Sequence, residues 1–298
     1  MTASVSILGV MQTPISFDVP AGACDCHTHI FGPDEKFPLS PNRMYTPGAA
    51  SIKNLNALHK AIHIDRVVVV HPSPYGADNA VTVDAVRQMG NRARGVAVID
   101  DATTDTMLDD MHEAGIRGVR VNLESAGEND PAKAGQQLQN ASARVAKLGW
   151  HVQTYTNLHV LQPLTDAILQ MPTPLVVDHF GLAQAARGVG QPGFAELLSL
   201  LRSGKIYVKI SAAYRISAVP GHADAAPMAR AMIDANPDRV VWGTDWPHPG
   251  GKRRNPAEVE PFRPIDNGAA LNRLASWTKD SKELAKILVD NPARLYDF

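Results

Sequence analysis

The stretch 23-ACDCHTHIFG-32 alternates along its length and is followed by Pro33. In a β-strand this alternation places Asp25, His27 and His29 on one face and the two cysteines on the other. Two imidazoles two residues apart at the end of a strand can converge on one small volume. Such a pair suits a metal ion or the polarisation of a substrate oxygen.

Seven further short apolar runs indicate that this strand belongs to a larger sheet. With residues 24–29 as the first, the predicted strands are residues 67–73, 95–99, 118–122, 150–155, 175–179, 206–211 and 240–245. Several are continuous Val and Ile runs, such as VVVV at 67–70. Continuous runs are typical of strands that are buried on both faces, so a parallel sheet is expected.

Between most of these strands the apolar residues have helical spacing. The predicted helices are residues 79–89, 105–114, 132–148, 161–169, 194–202, 224–235 and 282–289. Eight strands with helical crossovers predict an α/β fold, a single (β/α)8 TIM barrel over residues 21–298 after an N-terminal arm of residues 1–20. A doubly wound sheet is the alternative, but no Gly-rich nucleotide motif follows the first strand. The long irregular segments, residues 30–53, 123–131 and 246–268, each follow a strand.

Composition narrows the function classes. The 298 residues carry a net charge of −1, which gives no electrostatic reason to expect nucleic acid or a membrane surface as a partner. The first twenty residues lack a basic segment and a sustained apolar core, and no stretch is long and apolar enough for a membrane helix. Two cysteines make no disulfide framework, so we expect a soluble, cytoplasmic protein.

Polar residues stand at the carboxyl ends of seven of the eight predicted strands. In a (β/α)8 barrel these ends form the active site. In chain order they are His27, His29, His71, Ser73, Arg120, Asn122, Tyr155, Asp178, His179, Tyr214, Arg215, Asp245, Trp246 and His248.

Five motifs carry a family resemblance: CDCHTHIFGP, VVDHFG, VKISAAYR, VVWGTDWPHP and DNPARLYDF. Together they resemble the amidohydrolase superfamily, most closely its 2-pyrone-4,6-dicarboxylate lactonase-like branch of lactone hydrolases and aldarolactone isomerases. The resemblance runs from about residue 21 to the C-terminus. It implies an enzyme that processes a small carboxylated lactone.

The resemblance also bears on metal binding. In metal-dependent members of the superfamily, ligands stand at the positions of His27, His29, His179 and Asp245, with further ligands on the fourth and fifth strands. This chain has Arg120 and Tyr155 on those two strands, and a guanidinium cannot bind a metal ion. The lactonase-like branch works without a metal, so no cofactor is expected. A Zn²⁺ ion held by His27, His29, His179 and Asp245 is the alternative.

The resemblance implies a role for each site residue. Asp245 is the expected general base that activates water, and His27, His29 and His179 donate hydrogen bonds to the lactone carbonyl oxygen. At least one imidazole is expected to be protonated beside Asp245. The expected substrate-binding residues, led by two arginines for a carboxylate, are Arg120, Arg215, Tyr155, Ser73, Tyr45 and His248.

One departure concerns the substrate. The pyrone dicarboxylate lactonases carry another arginine a few residues after the fourth-strand arginine, but this chain reads ESAGE at 124–128. We therefore expect a hydroxylated lactone with one carboxylate, such as an aldarolactone, with Glu124 accepting hydrogen bonds from hydroxyl groups. Basic residues at 252–254 could compensate for the missing arginine. Attack by water would open the ring and attack by a substrate hydroxyl would move it, and the sequence leaves both open.

Two other function classes stay open. One is a zinc-dependent decarboxylase or amide hydrolase of the same superfamily. The other is a non-catalytic binding protein, against which Asp245 argues, because a carboxylate adds nothing to an anion-binding pocket. The only partner expected is a small carboxylated lactone, and the sequence does not give the oligomeric state.

Overall fold

The computed structural model describes residues 5–250 and 255–298. All eight predicted strands are present: β1 (Cys24–Thr28), β2 (Arg66–Val70), β3 (Ala93–Ala97), β4 (Ile116–Asn122), β5 (His151–Tyr155), β6 (Leu175–Val177), β7 (Ile206–Lys209) and β8 (Val240–Val241). Six strands end earlier than predicted, because the chain leaves the extended conformation at their polar ends. His179 has φ 51° and Asp245 has φ 65°.

The eight strands form one sheet in chain order, from β1 through to β8. Residues of β1, β6 and β7 are buried along their whole length. The described register pairs between neighbouring strands are parallel, which confirms the predicted parallel arrangement. The register between β1 and β2 shifts between Asp25 and Thr28. A shift of this kind changes the direction of side chains along one strand, and His27 lies within the shifted segment.

Helices occupy most connections between strands. Their bounds are α1 (Ile52–Ala61), α2 (Ala80–Met89), α3 (Asp105–Glu113), α4 (Leu123–Ala126), α5 (Pro131–Val145), α6 (Leu158–Leu161), α7 (Thr165–Leu169), α8 (Phe194–Arg202), α9 (Ala226–Ala235), α10 (Asn267–Trp277), α11 (Ser281–Ala285) and α12 (Asn291–Tyr296). All seven predicted helices are found, the last as α11 and a π-helical turn, Lys286–Asp290. Among described residues, no helix has the length and apolarity needed to span a membrane.

The sequence prediction lacks α1, α4, α10 and α12, and it contains only the last residue of α6. α1 has a capping box in which Ser51 and Asn54 satisfy each other's backbone groups, a signal normally read from Glu or Gln at the third position. α10 begins inside the segment predicted to be irregular. α4 is a single turn that begins directly after β4, with Asn122 as its N-cap.

Contacts divide the chain into two compact units. The first unit comprises residues up to Ile116, Thr244–Ser276 and Phe298, and the second unit comprises Arg117–Gly243 and Trp277–Asp297. The predicted domain boundary at residue 20 stays a prediction. Within the predicted arm, Ser6–Ile7 and Val10–Met11 pair as a small antiparallel hairpin. The arm is tied to α10 because Gln12 Oε1 accepts a hydrogen bond from Asn267 N at 2.8 Å.

Candidate active site

Three of the predicted catalytic residues meet in the first unit. Asp245 Oδ1 lies 3.6 Å from His27 Nε2 and 3.5 Å from His29 Nε2. His27 and Asp245 are fully buried and His29 is 4% exposed. The two imidazole rings meet edge to face with centroids 5.0 Å apart. The structure thus places a carboxylate against two imidazole nitrogens, away from bulk water.

A hydrogen bond fixes the tautomer of His29. Its Nδ1 lies 2.8 Å from the backbone oxygen of Val70, an acceptor, so Nδ1 carries a proton. In the neutral ring, Nε2 then has no proton, and its lone pair faces Asp245. His29 donates from Nε2 only as an imidazolium, whereas its neutral form could bind a metal ion there.

The backbone at Asp245 is held from both directions along the chain. Its φ of 65° lies in the left-handed region, which costs energy for a residue with a side chain. The Asp245 N–H donates to His27 O at 2.8 Å, and the His248 N–H donates to Asp245 O at 2.8 Å. The His29 N–H donates to Trp246 O, also at 2.8 Å. These bonds join the end of β1 to the turn that carries the carboxylate.

The second unit holds the fourth predicted catalytic residue, His179. It stands directly after β6 with φ 51° and is buried. Its Nδ1 lies 2.8 Å from Ser211 Oγ, beyond the end of β7, and the two groups can exchange donor and acceptor roles. The ring of Tyr155 meets the His179 ring edge to face at 5.4 Å. His179 and Tyr155, two residues predicted for the site, therefore lie together.

Below Tyr155 lies a buried charge cluster in the second unit. Arg120 Nη2 is 3.4 Å from Asp178 Oδ2, and Lys209 Nζ is 3.4 Å from Asp178 Oδ1. Gln153 bridges the cluster, donating to Asp178 Oδ2 at 3.0 Å and accepting from Lys209 Nζ at 2.7 Å. The sequence analysis missed Gln153, which lies inside β5, and Lys209, which ends β7. The available signal was a polar residue within an apolar run.

The predicted carboxylate-binding residues of the second unit stack on aromatic rings. Arg215 Nη1 lies 3.5 Å from Tyr155 Oη, and its guanidinium carbon lies 5.6 Å from the Tyr155 ring centre. The same carbon lies 5.2 Å from the ring of Tyr214. The Arg120 guanidinium also lies over Tyr155, at 5.7 Å. Stacking of this kind orients a guanidinium while leaving its N–H groups for an anion.

The remaining predicted substrate-binding residues lie in loops of the first unit. Ser73 opens a 3-10 turn that follows β2 after His71 and Pro72, and Tyr45 is buried beside the short strand Thr46–Pro47. His248 and Trp246 line a cavity of about 160 Å³ with Phe262. The 252–254 run proposed to compensate for the missing arginine lies outside the described residues.

The loop around Ser73 is anchored. Tyr75 Oη accepts a hydrogen bond from the Gly32 N–H at 3.1 Å, which ties the loop after β2 to the loop after β1. Burial raises the pKa of Tyr75 to about 12, so the phenol stays protonated. His71 holds the same turn through Nε2, 3.1 Å from Gly76 O.

The acidic segment after β4 is exposed. Glu124 Oε2 accepts a hydrogen bond from Asn157 Nδ2 at 3.0 Å, and Asn157 in turn caps α6. Asn122 pairs with Tyr155 at the ends of β4 and β5, so Glu124 follows directly from this rim. The second unit therefore holds Arg120 and Arg215 against the ring of Tyr155, and Glu124 follows Arg120 closely in the sequence.

Eight parallel strands with polar side chains at their carboxyl ends define the class of (β/α)8-barrel enzymes. A family model described as Amidohydrolase matches residues 24–298. The chain belongs to the amidohydrolase family.

Characterised relatives share most of the chain's length. It is 38% identical to a 2-pyrone-4,6-dicarboxylate hydrolase of Comamonas testosteroni, over 94% of this chain and 92% of the relative. It is 37% identical to a 4-sulfomuconolactone hydrolase of Rhizobium radiobacter, over 96% and 93%. A D-galactarolactone isomerase of Agrobacterium fabrum is 27% identical, over 93% and 91%.

The fold is shared with solved structures. One from Pseudomonas putida, provisionally described as a 2-pyrone-4,6-dicarboxylic acid hydrolase, has a TM-score of 0.78 and 30% identity. The match covers 93% of this chain and 97% of that structure. The predicted TIM barrel is confirmed.

Proposed function

We propose that this chain is an enzyme that processes a small carboxylated lactone without a metal cofactor. The observation that carries the proposal is the buried Asp245 carboxylate against the Nε2 atoms of His27 and His29. The relatives named as lactone hydrolases and as a lactone isomerase support the substrate class. A small-molecule lactone is then the partner, and the predicted cytoplasmic location stays a prediction.

We further propose that the strand-end residues predicted from the sequence serve one reaction. The carboxyl ends of parallel strands share one edge of a sheet, which is where such barrels carry their sites. His179, Arg120, Arg215 and Tyr155 would then act with His27, His29 and Asp245. Ser73, Tyr45 and His248 complete the proposed rim.

In the proposed hydrolysis, Asp245 takes a proton from water as the water oxygen attacks the lactone carbonyl carbon. The new C–O bond converts the carbonyl oxygen into an oxyanion in a tetrahedral intermediate. The ring C–O bond then breaks, the electron pair returns to the carbonyl, and the leaving alkoxide takes up a proton from Asp245. One water is consumed and a hydroxy acid is formed.

The imidazoles are proposed to stabilise the oxyanion. Because His29 Nδ1 donates to Val70 O, His29 serves as a donor at Nε2 only when it carries both protons. A protonated His29 beside the Asp245 carboxylate keeps the pair neutral overall. His27 and His179 would supply further N–H groups, and a buried donor set needs little reorganisation during the reaction.

Arg120 and Arg215 are proposed to bind the substrate carboxylate, with Tyr155 between them as a stacking partner and hydroxyl donor. Glu124 is proposed to accept hydrogen bonds from hydroxyl groups elsewhere on the lactone. A second substrate carboxylate near Glu124 would meet like charge. These features favour a hydroxylated lactone with one carboxylate, such as an aldarolactone. If a substrate hydroxyl replaces water as the attacking group, the same residues isomerise the ring.

A zinc-dependent hydrolase or decarboxylase is the second candidate, and one observation favours it. Separations of 3.5 and 3.6 Å between ligand atoms match those around a tetrahedral Zn²⁺ with bonds of about 2.1 Å. The His29 Nδ1 bond to a backbone carbonyl is also typical of metal-binding histidines. His27, His29, His179 and Asp245 would hold the ion, which would supply Lewis-acid activation. Against it, Arg120 and Tyr155 occupy the fourth and fifth strands.

The test is turnover of aldarolactones and pyrone carboxylates in chelator-treated buffer, followed by NMR. We expect an open hydroxy acid or a shifted ring without added metal. Turnover that appears only after Zn²⁺ is added would support the second candidate. No turnover of any lactone under either condition would contradict lactone processing.

A further inference from the structure

Asp25 is a buried carboxylate with four hydrogen-bond donors around it. Oδ1 accepts from the Thr244 N–H at 2.8 Å and from the His27 N–H at 3.3 Å. Oδ2 accepts from Thr244 Oγ1 at 2.6 Å and lies 3.3 Å from His59 Nε2. Asp25 is fully buried, so each donor replaces a hydrogen bond from water. The partners are therefore the proposed catalytic residue His27, the residue before Asp245, and a histidine of α1.

The hydrogen bonds from Arg92 to His59 and from His59 to Asp25 have a fixed donor and acceptor order. Arg92 Nη2 lies 2.9 Å from His59 Nδ1, and a guanidinium only donates, so Nδ1 is the acceptor. His59 Nε2 therefore carries the proton and donates to Asp25. Burial lowers the pKa of His59, which agrees with a neutral ring. Asp25 Oδ2 thus accepts from His59 as well as from Thr244.

The hydrogen bonds of the Thr244 hydroxyl fix the turn that carries Asp245. Thr244 Oγ1 donates to Asp25 and accepts from the Trp246 N–H at 3.0 Å. The residues before and after Asp245 are therefore both tied to Asp25, one directly and one through the threonine hydroxyl. Asp245 needs such ties because its φ of 65° is unfavourable without them.

We propose that Asp25 and Thr244 form a positioning clamp that sets the Asp245 carboxylate against His27 and His29. The inference rests on the proposed lactone chemistry. In that reaction Asp25 and Thr244 do not contact the substrate. Both act through the backbone of the turn that carries Asp245. Loss of the clamp would let the turn relax and move the carboxylate, and displacements of about 1 Å can lower a rate about a hundredfold.

The experiment compares Thr244→Val, which keeps the shape but removes the hydroxyl, with Thr244→Ser, which keeps the hydroxyl. Thr173→Val is the matched control, because Thr173 is a buried threonine whose hydroxyl binds Ser142 at 2.7 Å, outside the proposed site. We expect Thr244→Val to lower kcat ten- to a hundredfold with KM within about twofold. Thr244→Ser should stay within about threefold of wild type and Thr173→Val within about twofold.

A double variant separates the clamp from general destabilisation. If Asp25 and Thr244 act as one unit, Asp25→Asn with Thr244→Val should lower kcat no further than the worse single change. Wild-type kcat in folded Thr244→Val, or equal losses in Thr173→Val, would overturn the clamp. Absence of lactone turnover by the wild type would instead overturn the proposed function, so the two failures are distinct.

Discussion

Arg120 Nη2 lies 3.4 Å from Asp178 Oδ2 in the buried part of the second unit. Asp178 also faces Lys209, so two cations share one carboxylate. Arg120 Nε has no hydrogen-bond partner among the described residues, although it is buried. A buried guanidinium with one N–H that has no described partner favours an anionic ligand.

Replacement of Arg215 tests the carboxylate site. Arg215→Gln should raise KM for a carboxylated lactone ten- to a hundredfold, because a hydrogen bond to a charged group is worth about 1.5–3 kcal/mol. Steady-state kinetics with the lactone and its methyl ester give the comparison. The ester should show little difference between the variant and wild type. Arg187→Gln, an exposed arginine of the second unit, is the control. Equal effects on acid and ester would argue against a carboxylate contact.

Neutralising Glu124 should change substrate preference. Glu124→Gln removes a negative charge from the exposed pair with Asn157, so dicarboxylate lactones should gain about three- to tenfold in kcat/KM relative to monocarboxylates. The ratio of the two kcat/KM values is measured under the same salt conditions. Glu196→Gln is matched, since Glu196 accepts from the amide of Gln162 in a similar pair. An unchanged ratio would remove Glu124 from substrate selection.

His151 should make the free energy of unfolding depend on pH. Burial, followed by the Lys209 charge, lowers the pKa of His151 from 6.5 to about 3. Between these pH values the unfolded chain binds a proton that the folded chain does not. The free energy of unfolding should therefore fall with decreasing pH by about 1.4 kcal/mol per unit from this residue. This stability is present above pH 6.5 and lost toward pH 3.

Urea denaturation between pH 4 and 7 checks the slope. His151→Asn should reduce it, and His159→Asn, which changes an exposed histidine, should leave it as in wild type. A wild-type slope in His151→Asn would show that the native state tolerates a charged His151.

Gly118 is required where β4 passes the His151 ring. A Cβ at this position would lie 2.4 Å from His151 Cε1, inside van der Waals contact. The ring is buried and meets Tyr296 edge to face at 5.1 Å, so it cannot move aside freely. Gly118→Ala should lower the free energy of unfolding by about 1–3 kcal/mol. Gly190→Ala, with nothing within 4 Å of its added Cβ, should stay within about 0.5 kcal/mol in the same denaturation measurement. Equal stability of the two variants would contradict the clash.

The sequence predicted the sheet well because its signal is local. A continuous apolar run such as VVVV at 67–70 indicates a buried strand without knowledge of its neighbours. The polar residues at the end of a strand directly follow its apolar run in the sequence. α10 and α1 were missed because their apolar positions are few and their start signals are weak or unusual. Local patterning was insufficient there, and burial against the rest of the chain supplies the stability.

The residues that support the proposed catalytic groups could not be recognised from local sequence patterns. Thr244 and Asp25 are 219 positions apart, and only the fold shows that they share hydrogen bonds. Asp25 was recognised as sharing the face of His27 and His29, but not as a partner of the β8 turn. The role of Lys209 likewise depends on its contacts with Asp178 and Gln153, which lie in other parts of the chain.

Asp245→Asn gives the most direct test of lactone chemistry driven by this carboxylate. The amide keeps the shape of the side chain but cannot act as a base. Initial rates are measured in chelator-treated buffer with the lactone that the wild type converts fastest, and circular dichroism confirms folding. We expect kcat to fall about a thousandfold with KM little changed. A kcat within tenfold of wild type would contradict it.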